Sequence, residues 1–139
     1  MSDEALARYR PHALAALRIM TGLIFMAHGL VKLVGFPEVE GMGRVELLSL
    51  AGIGGVIELV GGALVALGLF TRPAAFIASG EMAVGYFMFH APQSFFPIVN
   101  GGDAAILYCF IFLYLFFAGP GSFSLDRVLW GREGIRSSA

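Results

Sequence analysis

The chain has 139 residues, of which 58% are hydrophobic and only 14% charged, with a net charge of -1 and a mean hydropathy of +0.80. That balance excludes an ordinary water-soluble domain, and nine scattered Lys and Arg residues exclude the basic patch that nucleic-acid binding needs. A single cysteine, Cys109, excludes an intrachain disulfide and a cysteine-based metal centre, so redox chemistry would come from a bound cofactor or substrate.

Residues 1–10 are polar and Pro11 suits a first helical turn, which places helix one over about 12–34. This run is too long for a cleaved signal peptide and contains Arg18, His28 and Lys32, so it reads as a retained span. Pro37, Glu38 and Glu40 mark the next segment as a surface loop. Helix two is expected over about 47–70, and Pro73, by pushing Arg72 out of the helical region, makes Thr71-Arg72-Pro73 a tight turn. Helix three follows over about 73–90, then an uncharged connection rich in proline and glycine, then an aromatic helix four over about 103–118. Gly119-Pro120-Gly121 stops it, and Ser124 caps a short interfacial helix over about 124–130. The expected fold is all-α: one polytopic membrane domain over 1–139, a four-helix bundle with short loops.

Arg8, Arg10, Arg72, Arg127, Arg132 and Arg136 hold six of the nine basic charges on one side of this arrangement. The positive-inside rule then places both termini in the cytoplasm.

Ionisable residues within a span are costly and default to a site. Arg18, Gly22, Phe25, Gly29 and Lys32 share one face of helix one, and Gly54, Glu58, Gly61, Val65 and Gly68 share one face of helix two. Glu58 is thus the one polar residue on a glycine stripe that suits close helix contact. Glu81 shares a face of helix three with Ala74, Ile77, Gly85 and Met88, while helix four presents Asp103, Leu107, Phe110 and Tyr114. Rise per residue puts Glu58 and Glu81 at mid-membrane, with Arg18 close enough to pair with either or both. One Arg cannot neutralise two carboxylates, so either one glutamate carries a proton or His28 or Lys32 supplies a second positive charge. A purely structural Arg-Glu network that fixes helix register is the competing reading. Lys32 reads first as an interfacial snorkelling cation, and His90 and Asp103 flank the uncharged outer loop as an entrance or as plain helix ends. Gly52 to Ile57 lacks the third glycine and the strand of a dinucleotide fingerprint, and the three histidines lack metal-ligand spacing, so no metal site is expected.

The order of these residues resembles a known family. Arg18, Gly22, Phe25, His28, Gly29 and Lys32, then Glu58-x-x-Gly61-Gly62, Thr71-Arg72, Asn100-Gly101-Gly102-Asp103 and Gly119-Pro120-Gly121-x-x-Ser124-Leu125-Asp126 together resemble the DoxX family of small four-helix bacterial membrane proteins. Asp103 stands where that family more often has glutamate. The resemblance implies four helices, the bacterial inner membrane and a redox-linked context around quinone or thiol stress.

The leading functional expectation is therefore a membrane component handling a quinone or similar amphipathic molecule in an intramembrane polar pocket. Were it an enzyme, it would be a quinone-linked oxidoreductase or a subunit of one. Catalytic candidates are Glu58, Glu81, Arg18 and His28, and ligand-binding candidates are Lys32, His90, Asn100, Asp103 and Tyr114. A quinone carbonyl accepts hydrogen bonds from Arg or His, and a carboxylate can relay the protons that reduction takes up. The alternatives are a non-enzymatic scaffold or assembly subunit and a proton-coupled small-solute carrier. Expected partners are membrane lipid, the amphipathic ligand, and a second copy or a redox-complex subunit.

Overall fold

Ser2 starts the first helix, its hydroxyl accepting the Ala5 amide at 3.3 Å, and Asp3 and Glu4 place negative charge on the first turn. The helix, α1, runs Asp3–Val34 in the computed structural model, which describes residues 2–131. Arg132 and Arg136, counted above for orientation, lie outside the described residues. Pro11 stands inside α1 rather than at its start: proline's fixed φ fits a helix at the loss of one ladder bond. The Pro11 carbonyl instead accepts the Ser122 amide from the far end of the chain at 3.1 Å.

Gly35 ends α1 in the left-handed conformation, and a loop leads to Ser49, which caps α2, Leu50–Leu67, by accepting the Gly52 amide. One π-helical turn, Ile57–Gly61, widens α2 at Glu58. Gly68 closes α2 with φ of 68°. The next helix, α3, begins at once as Thr71–Gly85 and continues through a second π turn, Tyr86–His90. After a single turn at Pro97–Asn100 come α4, Asp103–Ala118, and the short α5, Leu125–Trp130, capped by Ser124. No strand forms among the described residues, so the class is all-α, and α1 and α2 are long and apolar enough to cross a membrane.

Helices α1 and α2 meet backbone to backbone. A Cβ on Gly22 would come 2.5 Å from the Ala66 nitrogen, and one on Gly62 would come 2.6 Å from the Met26 nitrogen, so only glycine fits either position. Gly29 packs the same way on Gly55 and Leu59 one heptad further along. The contact runs through Gly55, Gly62 and Ala66, one residue around the helix from Gly54 and Gly61.

The core gathers one side chain or a few from each long helix: Phe25, Val65, Ala74, Ala75, Ala78, Phe112 and Leu115. Phe25 meets Phe112 edge-on at 4.7 Å, and the alanines of α3 leave room for the α4 aromatics. The faces expected for α3 and α4 are corrected here. Ile77 and Met88 on α3, and Leu107, Phe110 and Tyr114 on α4, are exposed, while Ala105, Phe112 and Leu115 are buried. Helix α4 is apolar all round, so no polar side marks its phase in the sequence. Large exposed apolar side chains cover the outside of α1 to α4, the surface of a protein whose solvent is lipid.

Candidate functional site

Arg18 is fully buried and does not touch either glutamate. Its Nε donates to the Pro120 carbonyl at 2.7 Å, Nη1 to Val65 at 3.0 Å and Ala66 at 2.8 Å, and Nη2 to Ser122 at 3.0 Å and Phe123 at 2.8 Å. A guanidinium has five N–H groups, so all of its donor capacity is engaged and none remains for a carboxylate. The cation sits on the last turn of α2, where unpaired carbonyls and the helix dipole favour positive charge. The expected Arg18–Glu58 and Arg18–Glu81 pairs are therefore replaced by a knot that ties α1, the end of α2 and the Gly119–Ser124 loop together.

The neighbouring motif residues belong to the same knot. Asp126 accepts the Phe70 amide at 2.8 Å and the Thr71 amide at 3.0 Å, capping α3, whose N-cap residue Phe70 sits at φ of 48°. The Asp126 amide in turn donates to the Gly68 carbonyl at 2.8 Å. Arg72 clamps the end of α4 through the Phe116 and Phe117 carbonyls at 2.7 and 2.8 Å.

Glu58 takes its cation from Lys32 instead. Lys32 Nζ donates to Glu58 Oε1 at 2.7 Å, with the Glu58 side chain 4% exposed and that of Lys32 29% exposed. Lys32 is thus the ion-pair partner of Glu58 rather than only a snorkelling residue. Glu81 approaches from α3, its Oε1 lying where a Cβ on Gly54 would find it at 3.1 Å, one turn from Glu58 on α2. The second oxygens, Glu58 Oε2 and Glu81 Oε2, are buried and meet no hydrogen-bond partner. Lys32, Glu58 and Glu81 thus meet along one turn of α2, and three of the four carboxyl oxygens, two of them buried, have no hydrogen-bond partner among the described residues.

His28 lies one turn before Lys32 on α1 and packs its ring edge-on against Tyr108 of α4 at 6.0 Å. Tyr108 also stacks on Phe112 and tilts against Phe25 at 5.4 Å. The sequence reading missed Tyr108. Phasing α4 on Phe112 and Leu115 instead of Asp103 and Tyr114 would have turned that hydroxyl inward.

The other expected ligand-binding residues lie elsewhere. Asn100 is buried and organises the connection between α3 and α4: its side-chain amide donates to the Tyr86 hydroxyl and the Ser94 carbonyl, its Oδ1 accepts the Gly102 amide, and its carbonyl accepts from His90 Nδ1 at 3.0 Å. Asp103 is exposed in the first turn of α4, where an anion suits the helix dipole. Tyr114 is exposed on a groove at the Arg18 end, far along α4 from Tyr108.

Residues 13–91 match the family model DoxX. An uncharacterized protein of Haemophilus influenzae is 48% identical over 88% of this chain and 94% of its own. The inner membrane protein YphA of Escherichia coli is 31% identical over 85% of this chain and 91% of its own. The putative oxidoreductase CatD of Bacillus subtilis is 45% identical over 40% of this chain and 43% of its own. No solved structure matches.

Proposed function

We propose that this chain, which belongs to the DoxX family of membrane proteins, is a redox-linked inner-membrane component that binds the head group of a quinone or similar amphipathic molecule at Lys32, Glu58 and Glu81. Four long helices cross the bilayer in this reading, with both termini cytoplasmic. His28 and Tyr108 form the aromatic wall beside the polar groups.

The observation that carries the reading is the pair of buried, unpartnered oxygens on Glu58 and Glu81. An unsatisfied buried acceptor costs about 1–3 kcal/mol, which a ligand hydroxyl placed between the two carboxyls would recover. A quinol offers two such hydroxyls, and the oxidised head group offers carbonyls that accept from the Lys32 ammonium. Interconversion of the two forms moves protons, and two carboxyls against one ammonium form a site able to hold one of them. The likeness to CatD, whose name says oxidoreductase, supports the redox context over less than half of either chain.

The test is titration of a short-chain quinol into the purified protein in detergent. Glu81→Gln, which leaves the Lys32–Glu58 pair intact, is expected to weaken binding about tenfold, the equivalent of one lost hydrogen bond to a charged group. Equal affinity in Glu81→Gln and wild type, with both folded, would sink the proposal.

A second reading, a non-enzymatic assembly subunit, draws on the Arg18 knot, where Arg18 and Asp126 bind only backbone groups. It predicts no quinol binding by the wild type at all.

A further inference from the structure

Between the start of α3, the end of α4 and the turn of α1 at Pro11 lies an open groove of about 1120 Å³ at the Arg18 end of the molecule. Its lining is divided by chemistry. Arg10, Arg72 and Arg127 bring positive charge, and Leu14, Pro73, Tyr114 and Phe117 form an apolar wall that continues onto the lipid-facing surface. Asp126 is the one acidic residue in the lining, and its two oxygens are already taken by the Phe70 and Thr71 amides. Side chains with a net charge of +2 (three arginines against one aspartate) thus gather in a chain whose overall net charge is -1. Arg72 commits Nη1 to the Phe116 and Phe117 carbonyls, which fixes its guanidinium in place beside Gly119 and leaves Nε and Nη2 without an acceptor among the described residues. Among the described residues, Arg10 and Arg127 have no ion-pair partner.

We infer that this groove is a binding site for an anionic glycerophospholipid, its phosphate held by Arg10, Arg72 and Arg127 and its acyl chains lying along Leu14, Tyr114 and Phe117. A guanidinium binds phosphate through paired N–H donors, and basic pockets between membrane helices recognise anionic head groups. Free phosphate would use the arginines but gains nothing from the apolar wall. Trp130 and Tyr114 are in the lining, and amphipathic rings of this kind favour the head-group layer. The segment after Gly131 carries two arginines and one glutamate, the wrong sign for a basic groove. This inference is independent of the quinone site, which lies near the other end of α1.

Trp130 lines the groove and is the only tryptophan in the chain, so its fluorescence reports on this site alone. The purified protein is reconstituted in nanodiscs containing a small mole fraction of phosphatidylglycerol or phosphatidylcholine with brominated acyl chains, which quench tryptophan on contact. Brominated phosphatidylglycerol is expected to quench at a much lower mole fraction than brominated phosphatidylcholine. Arg10→Gln and Arg127→Gln are each expected to reduce that preference about fivefold. Both residues are exposed, so the variants should fold, which circular dichroism checks. The inference fails if the two lipids quench equally in the wild type or if the preference survives in the double variant. It fails as well if inorganic phosphate at equal concentration reverses the quenching, or if the preference appears only after residues 132–139 are removed.

Discussion

Arg18 and Lys32 leave the same face of α1, and every side chain on a helix leans toward that helix's N-terminus. For Arg18 the lean points away from the middle of the molecule, toward the Pro120–Phe123 carbonyls; for Lys32 it points inward. Glu58, on the antiparallel α2, leans toward Gly54 and so toward Lys32. Val65, which Arg18 reaches, lies two turns or about 10 Å from Glu58 along α2. Depth alone suggested an Arg18–Glu58 pair; depth with side-chain direction selects Lys32–Glu58, and both directions were available in the sequence. Counting charges left two ways to balance the carboxyls, a retained proton or a cation from His28 or Lys32, and the structure pairs Lys32 with Glu58. Arg18 is then an architectural residue, and removing it strands several carbonyls while emptying a buried charge site. Arg18→Gln is expected to destabilise the fold by several kcal/mol, at about 1–3 kcal/mol for each buried carbonyl left without a donor. Arg18→Lys, which keeps the charge but offers three donors for five carbonyls, should recover only part of that. Thermal unfolding in detergent measures both, and a melting temperature unchanged in Arg18→Gln would show that the carbonyl knot does not hold the fold.

Among the helices, legibility followed polarity. Helix α1 carries Arg18, Gly22, Phe25, Gly29 and Lys32 on one stripe, and the structure turns that stripe inward, because polar and small residues break the apolar background often enough to set a phase. Helix α4 offers no such break, so Asp103 and Tyr114 suggested a face that the core, built on Ala105, Phe112 and Leu115, does not use. The glycine stripe of α2 was legible as a contact, though not to the residue: Gly61 read as interface, yet it is Gly62, one position on, that has a backbone against it. A Cβ at Gly62 would come within 2.7 Å of the Gly22 carbonyl oxygen, whereas one at Gly61 meets nothing within 4 Å. Neither neighbour at Gly62 is a flexible side chain, so α1 would have to move. Gly62→Ala is expected to destabilise by about 1–3 kcal/mol through overpacking. Gly61→Ala should be neutral or up to about 1 kcal/mol stabilising from helix propensity. Paired melting curves decide between them, and equal shifts would mean that the backbone contact is not the closest approach of α1 and α2.

The whole molecule separates into two ends with different work. At one end Arg18, Arg72, Asp126 and the Gly119–Ser124 loop join four helices through hydrogen bonds to backbone atoms. Toward the other, Lys32, Glu58 and Glu81 bring charge to the centre with two oxygens unpartnered. A knot at one end lets the other carry a costly site, because helix register is already set where no ligand is needed. The basic residues Arg8, Arg10, Arg72 and Arg127 all lie toward the knotted end, which is the argument for the cytoplasmic termini proposed above. Cys109 can be replaced by alanine to give a cysteine-free chain, into which single cysteines are returned at Ser2 and at Gln93 in the connection between α3 and α4. In intact spheroplasts a membrane-impermeant maleimide is expected to label Gln93→Cys and to leave Ser2→Cys unlabelled until the cells are lysed. The opposite pattern would reverse the orientation and turn the arginine groove toward the outer leaflet. Labelling of both in intact cells would mean that the termini and the outer connection share one side, which four crossings cannot produce.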